Sequence, residues 1–177
     1  GVKTQSRGSF SVEEYTTIYT ALRTFHKQTP ISKSAATRET LGNYVLFLAN
    51  TGIRHGTEAL GLRWRNIEWY LREGERYLAV SVDGKTNKRT AIARDSVVDF
   101  LWRQAQLNSR ITAGDFDGLI SSKSDEPVFV TRLGAVVTVH NLNRAFNALL
   151  DELDLKTGAD GRTRTLYSWR HFYATQD

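Results

Sequence analysis

The spacing of apolar residues changes period once along this chain and then changes back, which leaves few folds open. Val12, Tyr15, Ile18, Leu22 and Phe25 recur at helical intervals behind a Ser11–Glu14 capping-box pair, and Phe10 and Tyr15 are placed for a hydrophobic staple. Pro30 and the polar residues after it make a loop. Residues 38–51 carry Leu41, Tyr44, Val45 and Leu48 on one face and stop at Gly52. Leu46 and Phe47 widen that stripe, which predicts a helix buried on most sides. After Trp64 the period falls to two. Residues 77–82 and 89–93 read as strands around a turn at 83–88, with 64–69 as a third. Helical spacing returns behind Asp95, a capping residue, with Val98, Leu101, Trp102 and Ala105 inward. Residues 112–127, rich in Gly, Ser and Asp, read as a mobile loop, and 128–130 as a short strand. Leu142, Phe146, Leu149, Leu150 and Leu153 mark a further helix, and a basic loop holding Lys156, Arg162 and Arg164 leads into the last one. The sum is a mainly α fold with a small antiparallel β-sheet, in one domain over residues 1–177.

Composition narrows the chemistry. A chain of 177 residues, 40% of them hydrophobic, can bury a real core. It has no cysteine, which excludes disulfides and thiolate metal sites. Its histidines, at 26, 55, 140 and 171, lack metal-ligand spacing, so neither a metal nor a cofactor is expected. No apolar run has membrane-spanning length and no signal-peptide pattern opens the chain, so no membrane partner is expected. The net charge of +5 favours an anionic partner. A start at Gly1 and the lack of methionine predict a piece of a longer protein.

Three stations concentrate arginine and lysine at structurally marked places. The first is Asn50-Thr51-Gly52-Ile53-Arg54, followed by Glu58 and by Leu62-Arg63-Trp64. Here an apolar helix ends at a glycine, and an arginine sits on the corner, held by the elements on either side; read alone it is equally a surface arginine after a helix cap. The second is the turn Gly84-Lys85-Thr86-Asn87-Lys88-Arg89, and the third is Leu166-Tyr167-Ser168-Trp169-Arg170-His171-Phe172-Tyr173-Ala174-Thr175. Phosphodiester transfer needs such groups. Two arginines bind the non-bridging oxygens with forked, always-charged donors, each preorganised donor contributing about 10²–10³ in rate. A lysine on a hairpin can protonate the leaving oxygen as general acid, worth about 10²–10⁴.

In this order the three stations resemble the active-site boxes of the tyrosine recombinases, the phage integrase family. The resemblance implies that family's catalytic-core fold, with Arg54 and Arg170 as phosphate clamps, Lys85 as general acid and Glu58 as the acidic residue that orients the site. Glu58 follows Arg54 by four residues where the common pattern has three, a one-residue insertion at 56–57. Read by itself, Glu58 is equally a helix-start carboxylate in the favourable field of the N-terminus. His171 matches the histidine beside the second arginine, and Tyr167 stands where the family has its first histidine; a phenol of ordinary pKa near 10 is a poor base at neutral pH. Lys88, Arg89, Arg162 and Arg164 are the expected DNA-backbone contacts. Phe172 and Tyr173 read as core packing.

The family's nucleophilic tyrosine lies beyond the second arginine box. The expectation is therefore a catalytic domain lacking its distal end and an N-terminal core-binding domain. The implied activity is cutting and rejoining of double-stranded DNA through a 3′-phosphotyrosine, without metal or cofactor. The implied assembly is a homotetramer on DNA in the full-length protein, with this piece monomeric and inactive alone, and the implied setting is cytoplasmic and nucleoid-associated. Two alternatives stay open: a type IB topoisomerase-like enzyme, and a DNA-binding module that has lost its chemistry.

Overall fold

A computed structural model describes residues 8–84 and 87–176. Its organising element is a long central helix, which follows a first helix, α1 (Val12–Phe25). α1 carries the full capping box: Ser11 Oγ accepts from the Glu14 N–H and the Glu14 carboxylate accepts from the Ser11 N–H. Ile18, Leu22 and Phe25 face the core, whereas Val12 is 54% exposed and lies off the expected stripe.

The central helix, α2 (Ser32–Thr51), begins earlier than its apolar period announces. Residues 32–37 are helix-competent, but only Ala36 among them is buried, so no hydrophobic period marks those first turns. From Thr40 onward α2 is buried on nearly every side, and it packs against α1 and against three helices met later in the chain.

A short helix, α3 (Thr57–Leu60), and a 3₁₀ turn at Trp64–Asn66 lead into the sheet. The sheet is an antiparallel meander of β1 (Ile67–Arg72), β2 (Glu75–Asp83) and β3 (Lys88–Arg94). The third strand thus exists but starts at Ile67, because the Trp64 end is taken up by the 3₁₀ turn. Asp95 does not cap the next helix: it opens a 3₁₀ turn, and α4 (Val98–Ala105) starts behind Val97 without a side-chain cap bond.

The polar stretch expected to be a mobile loop contains α5 (Phe116–Ser122). Asp115 accepts from the Gly118 N–H at 2.7 Å, and Phe116, Leu119 and Ile120 are buried. Three apolar residues suffice to dock a seven-residue helix, too few to stand out in that composition. Residues 128–130 form only an isolated bridge, Val130 to Val136. The carbonyls of Val128 and Val130 are instead taken by the buried amide of Gln104, at 3.1 and 2.8 Å.

Two further helices follow among the described residues, α6 (Val139–Leu153) and α7 (Ser168–Ala174). Both α6 and α7, like α4, pack on α2. An aromatic cluster docks α7: Trp169, fully buried, stacks on Phe10 at 4.3 Å and meets Phe146, Tyr15 and Phe172 at 5.4–6.2 Å. Rings of this size dominate local packing energy, and truncating a buried tryptophan costs about 3–5 kcal/mol. Trp169 therefore fixes the position of its neighbour Arg170. The described residues form a mainly α fold with one small antiparallel sheet.

Candidate nucleic-acid interface

The corner after α2 is built by its own short side chains. Thr51 donates from its hydroxyl to the Phe47 carbonyl (2.7 Å) and accepts from the Ile53 N–H (3.2 Å). Gly52 closes the helix in the left-handed region, at φ 71°, with its N–H on the Leu48 carbonyl. Gly56 takes φ 105° two residues beyond Arg54, a value side chains rarely adopt. Between these glycines, Ile53 and His55 are buried and Arg54 is exposed.

Glu58, in the first turn of α3, ties this corner to the sheet. Its Oε1 accepts from the Arg54 N–H at 3.2 Å and from Arg89 Nη2 at 2.7 Å, with the Glu58 side chain only 8% exposed. The hairpin end at Gly84 also closes on it, since a Cβ there would lie 3.3 Å from Glu58 Oε2. Lys85 lies outside the described residues; its flank Gly84 donates to the Asn87 carbonyl at 2.8 Å.

Arg170 reaches the same corner from α7, donating from Nη1 to the Gly52 carbonyl at 2.8 Å. Burial, then the like charges of Arg54 and Arg89, pull its guanidinium below the usual arginine range, while Glu58 opposes them. Arg54, Arg89, Arg170 and Glu58 are thus electrostatically coupled, with three positive charges against one negative. Such a cluster is stabilised by an added anion, and arginine forks suit phosphate oxygens.

The remaining predicted residues divide. Tyr167 stands at the head of α7, and its ring meets that of His55 edge-on at 4.8 Å. Its hydroxyl overlies the corner, 3.8 Å from where a Cβ on Gly56 would sit. His171 and Lys88 are exposed. Arg162 is exposed and pairs with Asp160 at 3.7 Å.

Two readings need correction. Arg164 is 4% exposed, with Nη2 on Glu14 at 2.5 Å, Nε on the Leu155 carbonyl at 3.0 Å and its guanidinium over the Phe10 ring. It is a structural link and has no face to offer a DNA backbone. Phe172 is buried as core, but Tyr173 is 39% exposed and lies against Gly52, where an added Cβ would come 2.4 Å from its ring.

Sequence reasoning missed His55, Tyr44 and Asn143. Tyr44 Oη is 2.7 Å from His55 Nδ1, and His55 Nε2 is 2.9 Å from Asn143 Oδ1. Burial lowers the His55 pKa to about 4 against the opposing Asn143 bond, and burial likewise pushes the Tyr44 phenol up. The available signal was a histidine wedged between the corner arginine and a glycine.

No family model matches this chain, and no curated protein matches its sequence. Among solved structures, the integrase of the transposon Tn1549, in complex with a circular intermediate DNA, superposes with a TM-score of 0.58. The identity is 13%, and the match covers 98% of this chain and 54% of that one. The two share a fold, and this chain spans about half the length of its neighbour.

Proposed function

We propose that this chain is the catalytic core of an integrase-type site-specific recombinase, acting on double-stranded DNA. The observation that carries the reading is the bond from Arg170 to the Gly52 carbonyl. Through it, two arginines far apart in sequence meet at one corner, as a two-sided phosphate clamp requires. The shared fold with an integrase that was solved on DNA supports the same reading. In the proposed reaction a tyrosine hydroxyl attacks the scissile phosphate, forming a 3′-phosphotyrosine as the 5′ oxygen leaves with a proton. A 5′-hydroxyl then attacks that phosphotyrosine and releases the tyrosine. One phosphoester replaces another at each step, so no energy source is needed. Arg54 and Arg170 would stabilise the charge at phosphorus, Glu58 would hold the Arg54 backbone, and Lys85 would be the general acid. His171 and Tyr167 would assist at the phosphate. A homotetramer on DNA is the proposed assembly of the longer protein.

Duplex binding followed by fluorescence anisotropy across a salt series tests the clamp. Each neutralised phosphate contributes about −0.9 to the log–log slope. Arg54→Ala and Arg170→Ala should each make the slope shallower by about that amount. Wild-type slopes in both variants would remove the clamp from this corner.

A further inference from the structure

We propose that His55 is a positioning residue of this site: a neutral imidazole that locks the Arg54 corner to α2, α6 and the head of α7. The inference rests on the phosphate-clamp reading above and adds a residue that touches no phosphate.

The hydrogen bonds around His55 run in one direction. The Gly56 N–H donates to the Tyr44 hydroxyl at 3.2 Å, so that oxygen already accepts. Its own proton is left for His55 Nδ1, 2.7 Å away. With Nδ1 accepting, the ring proton sits on Nε2, where Asn143 Oδ1 accepts at 2.9 Å. Every polar atom in the relay is then satisfied, as burial of such groups demands.

Tyr44 belongs to α2 and Asn143 to α6. Tyr167, whose ring meets the imidazole edge-on, opens the helix that carries Arg170. One ring therefore joins three helices to the backbone on the C-terminal side of Arg54. On the N-terminal side Ile53 is fully buried and its N–H is held by Thr51. The exposed guanidinium thus projects from a backbone gripped on both flanks. Preorganised donors of this kind contribute most when they need not reorganise on binding. The neutral state matters as well: a proton on Nδ1 would oppose a donor to the Tyr44 O–H, and burial keeps that proton away above a pH of about 4.

The test measures duplex affinity and its salt slope beside thermal melting for wild type, Arg54→Ala, His55→Leu, His55→Gln and Tyr44→Phe. His55→Leu cannot make the relay. Below its melting temperature it should bind DNA about three- to tenfold more weakly, with a slope shallower by up to about 0.9, one phosphate contact. His55→Gln, whose amide can accept from Tyr44 and donate to Asn143, should restore most of both. A residue that only stabilises the fold would lower melting in His55→Leu without moving the slope, and that result overturns the proposal. Should His55→Leu fail to fold, Tyr44→Phe removes a single hydroxyl and must shift the slope in the same direction; an unchanged slope there also overturns it. If Arg54→Ala itself binds like wild type, the clamp reading fails and this proposal falls with it. Loss in Arg54→Ala without loss in His55→Leu removes His55 alone.

Discussion

Arg164 lies in the turns before α7 and Arg170 on α7, and the two meet quite different surroundings. Arg164 bonds Glu14, the Leu155 carbonyl and the Ser9 carbonyl, joining the head of α1 to the segment before α7. Arg170 keeps its charge beside two other arginines. Arg164→Ala should cost about 2–3 kcal/mol in urea unfolding, since it removes several charge-assisted bonds and strands a partly buried carboxylate. Its DNA affinity, measured on folded protein, should match wild type. The exposed Arg162 should behave conversely on substitution by alanine, with stability within about 0.5 kcal/mol of wild type and weaker DNA binding. Equal DNA loss in both variants would show that the loop binds as an undifferentiated basic patch. That Arg54, Glu58 and Arg170 would come to one corner was legible from the family resemblance of the basic stations and from the glycine that ends the helix. The fate of Arg164 was not, since its carboxylate partner is 150 residues away. Nor was the relay at His55, whose partners lie 11 and 88 residues off.

At the scale of elements, the same corner depends on backbone geometry that only glycine adopts cheaply. Gly52→Ala must hold φ near 71° against a Cβ, costing about 1–2 kcal/mol. The new methyl also meets the Tyr173 ring and must displace it. Pairing Gly52→Ala with Tyr173→Ala in a double-mutant cycle separates the two effects. A coupling energy near zero would mean the ring moves aside freely; we expect the double variant to be more stable than the sum of the single changes implies. Elements with a sustained apolar period, such as α1, β2, β3 and α6, could be read from spacing alone. The start of α2 and the whole of α5 could not. The first turns of α2 extend a helix anchored further along and bury only Ala36, whereas α5 is docked by three apolar residues set in a polar stretch, so neither shows a sustained period.

For the whole molecule, acid is the revealing variable. The His55 pKa falls from an ordinary 6.5 to about 4 on folding. The unfolded chain therefore binds a proton below pH 6.5 that the folded chain refuses until about pH 4. Stability from this group is complete above pH 6.5 and drains away as the pH drops to 4, with a slope approaching one proton. Glu14 adds a later loss. Burial raises its pKa, but bonds from the Ser11 backbone and Arg164 outweigh burial and leave it below the usual carboxylate range. Its contribution is present above the ordinary carboxylate pKa and disappears as the pH falls through the lowered one. Urea unfolding at stepped pH should show the first slope in wild type and not in His55→Gln; an unchanged slope in the variant would assign it to another group. One further consequence follows from the bond between Arg170 and Gly52, whose residues are 118 apart in the chain. The proposed clamp forms only once α7 has docked on the end of α2. On the proposed clamp reading, a bound anion would hold that helix in place, and whatever loosens the helix would release the anion. Occupancy of the proposed clamp and the docking of α7 would then be two readings of one equilibrium.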